Sequence, residues 1–110
     1  MEQPIGSFEE FWPHYLRQHA NPSTRAMHHF GFVVALLLLA ATVILREPLL
    51  LLAAFVAPYA LGAIGHHMFE GNRPTTLHYP VWSFMAGIRM FRLWTMGRLG
   101  RELTKAGIQS

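Results

Sequence analysis

Residues 30–45 read FGFVVALLLLAATVIL and residues 49–65 read LLLLAAFVAPYALGAIG, with only Arg46, Glu47 and Pro48 between them. Neither stretch contains a charge. Each alone is shorter than the roughly 20 residues that span a bilayer. Flanking residues extend both. His28 to Arg46 and Glu47 to His66 each cover about 28–30 Å at the helical rise, which matches a hydrocarbon core about 30 Å thick. A soluble amphipathic helix would show a polar face at 3.6-residue spacing, and neither stretch has one. The pattern predicts a tight hairpin of two antiparallel membrane helices.

The rest of the composition agrees. The chain has 110 residues, 52% hydrophobic and only 14% charged, where soluble domains average about 25% charged. Such a chain is too apolar to be disordered, and its length allows one domain, residues 1–110. The absence of cysteine excludes a disulfide scaffold, a cysteine-ligated metal and a thiol nucleophile. The net charge is +3, and the basic residues sit outside the hairpin. Arg17 and Arg25 precede it; Arg73, Arg89, Arg92, Arg98, Arg101 and Lys105 follow it; only Arg46 lies at the tip. The positive-inside tendency then predicts an integral membrane protein with both termini cytoplasmic. The start, Met1-Glu2-Gln3-Pro4, lacks the basic and apolar regions of a signal peptide.

Helix signals complete an all-α expectation: a small membrane bundle built on the hairpin, about 22–70, with interfacial helices at about 8–19 and 80–99. Ser7-Phe8-Glu9-Glu10 has the form of a capping box, and Pro13 predicts a kink or restart. Phe8, Phe11, Trp12 and Tyr15 form an aromatic face suited to a membrane interface. Asn21-Pro22 marks the start of the second helix. The third runs from about Pro48 to Glu70, kinked at Pro58, with Gly71 just past its end. Pro80 opens the fourth, which mixes aromatic residues with Arg89, Arg92 and Arg98. A frayed tail follows Arg101.

Seven histidines are many for so apolar a chain. In an antiparallel hairpin, residues equidistant from the turn lie level. His28 stands nineteen residues before Glu47 and His66 nineteen after it, so they meet at the cytoplasmic end. Glu70 lies one turn beyond His66 on the same face, and His19, in the link before the second helix, can fold over the same end. Imidazoles with a carboxylate suit iron, zinc, copper or nickel, and ionisable groups at a membrane edge point to function. His29 and His67 point about 100° away from their neighbours and are the rival ligands. Arg73 is a candidate for lipid phosphate, for Glu70 or for a carboxylate substrate.

The motif Tyr15-Leu16-x-x-His19-x-Asn21-Pro22, with His28 and Gly31, followed by Gly65-His66-x-x-Phe69-Glu70-x-Asn72-Arg73-Pro74, resembles the 2-hydroxy-palmitic acid dioxygenase family. Tyr79-Pro80-x-Trp82-Ser83 and Arg89-Met90 extend the likeness over about Phe11 to Leu99. Thr24 stands where the family usually has Asn, and Thr75 where it usually has Ala. The resemblance implies an Fe(II)-dependent dioxygenase of fatty acid α-oxidation. It would convert a 2-hydroxy fatty acid and O2 to a fatty acid one carbon shorter plus CO2. The expected iron site is His19, His28 and His66, with Glu70 a fourth ligand or the group that orients one. The expected partners are the 2-hydroxy fatty acid, O2 and membrane lipid, with no nucleic acid. Two other readings use the same residues: a zinc-dependent membrane hydrolase, and a non-enzymatic haem-binding or structural membrane protein.

Overall fold

A computed structural model of the chain describes residues 4–108, and among these every regular element is helical. The order is α1 (Phe8–Arg17), α2 (Pro22–Leu45), α3 (Leu49–Gly65) continuing into a π-helical turn (His66–Glu70), a 3₁₀ turn (Thr75–Leu77), α4 (Pro80–Thr95) and α5 (Leu99–Lys105).

Local chemistry sets the boundaries. Ser7 Oγ accepts the Glu10 N–H at 3.2 Å, as the capping box predicts, while the Glu10 carboxylate takes the N–H of Gly6. α1 runs through Pro13 without the expected restart. Asn21 Oδ1 accepts the Ser23 N–H at 2.8 Å and Pro22 opens α2, as the sequence indicates. The hairpin tip is Arg46 in the left-handed region, φ 54°, followed directly by Glu47 and Pro48.

α2 and α3 pack closely along their length because small residues line the seam. A Cβ on Gly31 would come within 3.0 Å of the Pro58 backbone, and one on Gly65 within 3.1 Å of Met27. Both helices are long and apolar enough to cross a membrane. Their outer faces are bare: Leu37, Val43, Ile44, Leu49, Leu52 and Phe55 are all more than 60% exposed. Only 17% of the apolar window of α2 and 22% of that of α3 is buried. A core helix of a soluble domain would be mostly covered.

A second body closes one end of the hairpin. Phe11, Trp12, Tyr15 and Leu16 of α1 pack with Ala86 and Met90 of α4 and Leu99 and Leu103 of α5. The aromatic face of α1, expected at a membrane interface, is thus turned into a protein core. Phe11 is fully buried, against Tyr79 and Trp82 at ring distances of 5.2 and 5.7 Å. Arg89 lies over the rings of Phe8 and Trp12.

The C-terminal region differs from expectation. α4 stops at Thr95. Gly97, φ 70°, forms a Schellman cap in which Arg98 N–H reaches Leu93 O and Gly97 N–H reaches Trp94 O. The chain then forms α5 where a frayed tail was expected. Leu99 and Leu103, one helical turn apart, bury themselves under α1, and Trp12 Nε1 donates to Glu102 at 3.1 Å.

Candidate metal centre

His19, His28 and His66 come together where the second body meets the hairpin. His19 leaves the end of α1, His28 sits nearly two turns into α2, and His66 opens the π-turn after α3. The level placement of His28 and His66 holds: their rings lie 5.0 Å apart at 90°. His19 folds over them, with its Nε2 3.0 Å from His28 Nε2 and 3.0 Å from His66 Nε2. His19 and His66 are almost completely buried.

The other nitrogen of each ring explains the arrangement. His19 Nδ1 lies 2.6 Å from the Tyr15 carbonyl, and His28 Nδ1 lies 2.9 Å from the Thr24 carbonyl. A carbonyl only accepts, so both Nδ1 atoms carry the proton. His66 Nδ1 lies 2.6 Å from Asn72 Oδ1, and the Asn72 amide donates to the Gln18 carbonyl and side chain. That leaves Oδ1 as acceptor and His66 Nδ1 as donor. Burial first, then the neighbouring His28 and His66, holds the His19 imidazole well below the usual histidine range, so it stays neutral. With every proton on Nδ1, three Nε2 lone pairs face one another without a proton between them. Such a set repels itself and is completed by a cation. Two nitrogens about 2.1 Å from one ion stand about 3 Å apart when they subtend a near-right angle, so the spacing also fits a shared ion.

The surrounding contacts hold this geometry. Arg25, buried near the start of α2, donates to the carbonyls of His19 and Ala20 at 2.8 and 2.9 Å and so secures the link that carries His19. Gly62 is bare because a Cβ there would stand 2.9 Å from His28 Nε2. Thr24 serves His28 through its backbone carbonyl, so the departure from Asn at this position leaves that bond intact.

The remaining candidates go elsewhere. The Glu70 carboxylate accepts the backbone N–H of Asn21 and thereby holds the start of α2; it lies outside the group whose ligand atoms fall within 4.8 Å of one another. Arg73 is exposed and makes no hydrogen bond or ion pair with the described residues. His29 stacks flat on Trp94 at 4.3 Å, away from the triad. His67 and His78 are exposed.

Sequence reasoning assigned no role to Asn72 or Arg25. For Asn72 the available signal was an amide straight after the Gly71 helix stop, within reach of His66. For Arg25 it was a cation in the first turns of a helix, where the dipole disfavours it unless it has carbonyls to bind.

A cavity of about 600 Å³ opens from the triad. Phe32, Leu36 and Leu39 of α2, Phe55 and Tyr59 of α3, and Phe84 of α4 are among its walls, and the three histidines with Tyr15, Thr75 and Ser83 contribute its polar lining. Leu39 lies eleven residues beyond His28, about 16 Å along the helix. Phe32 and Phe84 line the cavity, while Trp82 and Trp94 do not.

In this all-helical chain three imidazoles with unprotonated Nε2 atoms stand at the head of a long apolar cavity, a group that could hold a metal ion. The chain belongs to the family described as 2-hydroxy-palmitic acid dioxygenase Mpo1-like, which it matches over residues 5–99. Comparison with curated proteins and with solved structures returns no match.

Proposed function

We propose that this chain is a membrane-embedded, Fe(II)-dependent dioxygenase that shortens a 2-hydroxy fatty acid by one carbon. The observation that carries the proposal is the convergence of three unprotonated Nε2 atoms on one point at the head of an apolar cavity. The family description supports the substrate class. His19, His28 and His66 would hold the ion. Glu70, by holding the N-terminus of α2, supports His28 and is assigned a positioning role; Arg73 is assigned to lipid phosphate at the surface.

The reaction balances without a further reductant. R-CH(OH)-COOH and O2 give R-COOH, CO2 and H2O; the hydroxyl-bearing carbon loses three electrons, the carboxyl carbon one, and O2 takes up all four. A bound ferrous ion supplies O2 activation and a Lewis-acidic contact for substrate oxygens. The chain's own residues do the rest. Three neutral imidazoles leave the ion's charge uncompensated, which favours an anionic substrate. The apolar walls take the alkyl tail and keep water from it. The bare outer faces of α2 and α3 support insertion in the bilayer, with the triad near the cytoplasmic surface, where a fatty acid's polar head resides.

The test is purified protein loaded with Fe(II) and given O2 and 2-hydroxyhexadecanoate. Pentadecanoate and CO2 are the expected products, and His66→Ala is expected to abolish them while helix content stays. Tightly bound zinc with no O2 uptake would replace this proposal with hydrolase chemistry, and a haem absorption band would replace it with a haem role.

A further inference from the structure

Tyr15 has a polar end left over beside the triad. The residue is 3% exposed, lines the cavity with the three histidines, and packs with a tilted ring against His19 at 4.1 Å. Its backbone carbonyl holds His19 Nδ1. Its hydroxyl makes no hydrogen bond with the described residues and is not sealed off from the cavity. A hydroxyl open to an apolar cavity without a partner is a donor available to a ligand, and here the space beside it has been kept open. Gly87 of α4 faces it: a Cβ there would stand 3.4 Å from the Tyr15 oxygen and 3.3 Å from the Phe32 ring.

The cavity poses a matching problem for its ligand. No lysine or arginine lines it, so a carboxylate entering it meets no cationic side chain. The polar groups that can face it besides the imidazoles are hydroxyls. Thr75 and Ser83 are bonded to each other at 2.7 Å, so their own demands are largely met. Tyr15 offers an uncommitted O–H on a buried ring packed against His19, whereas Tyr59, also in the cavity lining, is 38% exposed.

We propose that the Tyr15 hydroxyl donates a hydrogen bond to a carboxylate oxygen of the bound 2-hydroxy acid and so selects a carboxylate-bearing amphiphile over a plain apolar chain. The proposal rests on the reading of the cavity as the fatty acid site. Tyr15 is in this view a substrate-binding residue, fixed by the helix that also carries His19, so ligand head and metal ligand share one support. The rigid α1 core, in which Tyr15 stacks on Trp12, sets the position of the oxygen.

The experiment compares full-length wild type, Tyr15→Phe and Gly87→Ala in lipid nanodiscs, metal-loaded and free of O2 so that no turnover occurs. Affinity is read for 2-hydroxyhexadecanoate and for 1-hexadecanol, which lacks the carboxylate. Tyr15→Phe is expected to weaken the hydroxy acid about tenfold or more, the scale of one lost hydrogen bond to a charged group, with the alcohol, bound metal and melting temperature unchanged. Gly87→Ala, which narrows the space at the hydroxyl and also meets the Phe32 ring at 3.3 Å, is expected to weaken the hydroxy acid as well. Equal affinity of wild type and Tyr15→Phe for the hydroxy acid overturns the proposal. Admitting O2 separates the two claims. Tyr15-dependent binding without pentadecanoate leaves this proposal standing and removes the dioxygenase reading. Pentadecanoate from both wild type and Tyr15→Phe at equal kcat and KM does the reverse. A wild type that binds no hydroxy acid removes both.

Discussion

His66 Nδ1 donates to Asn72 Oδ1 at 2.6 Å, and Asn72 spends its amide N–H groups on Gln18 at the end of α1. One amide thus sets the tautomer of a triad histidine and ties the hairpin to the preceding helix. Asn72→Ala is expected to lower metal affinity about 10–100-fold, the usual effect of removing a group that orients a ligand. Asn72→Asp, which keeps the acceptor, is expected to retain most of it. Metal titration of the two variants checks this. Equal affinity in all three proteins would show that the His66 ring needs no such partner.

Gly62→Ala adds one methyl group 2.9 Å from His28 Nε2. In a helix interior the change itself is favourable by about 0.5–1 kcal/mol, so helix content should hold or rise. Metal retention should drop by about tenfold or more as His28 is displaced. Circular dichroism and metal content, measured on the same sample, separate the two effects.

His19 carries a pH dependence. Its folded-state value lies below the usual histidine value because burial and the neighbouring imidazoles oppose its charge. The unfolded chain therefore takes up a proton first, and the metal-free protein is expected to be fully stable above about pH 6.5 and to lose stability as pH falls below it. Metal affinity should fall in the same direction, since protons compete for the same lone pairs. Thermal unfolding of metal-free protein between pH 8 and pH 5 is the measurement. A flat midpoint would contradict a neutral His19.

Leu103→Ala removes a buried side chain from α5 and is expected to destabilise the chain by about 2–5 kcal/mol; Phe11→Ala in α1 should cost about 3–5 kcal/mol. Both act on the core beside the hairpin. Val43→Ala, at a 77% exposed position near the tip, is expected to leave detergent-solubilised protein unchanged. Denaturation midpoints of the three variants give the comparison.

The hairpin and the His28/His66 pairing were legible because both follow from counting: an unbroken apolar run sets helix length, and equal distances from Glu47 set height. The aromatic face of α1 was harder to read. Phe11, Trp12 and Tyr15 produce the same periodicity whether lipid or another helix covers them, and the covering residues Met90, Leu99 and Leu103 lie more than 70 positions away. α5 did leave a signal, since Gly97 followed by Leu99 and Leu103 at i, i+4 is a helix stop and restart. Glu70 shows the limit of spacing arguments. It does lie a turn beyond His66, but its carboxylate turns to the Asn21 N–H, a partner 49 residues earlier.

The three imidazoles come from segments far apart in the chain, with His19 and His66 separated by 47 positions and their segments linked at the site by the Asn72–Gln18 and Glu70–Asn21 hydrogen bonds. An ion that binds all three cross-links the chain as well as serving chemistry, so its binding free energy adds to the stability of the closed form. In a cell, proteases sample whatever opens. If the triad holds its ion as proposed, the amount of this protein should follow the supply of that metal, rising and falling with it even at constant synthesis.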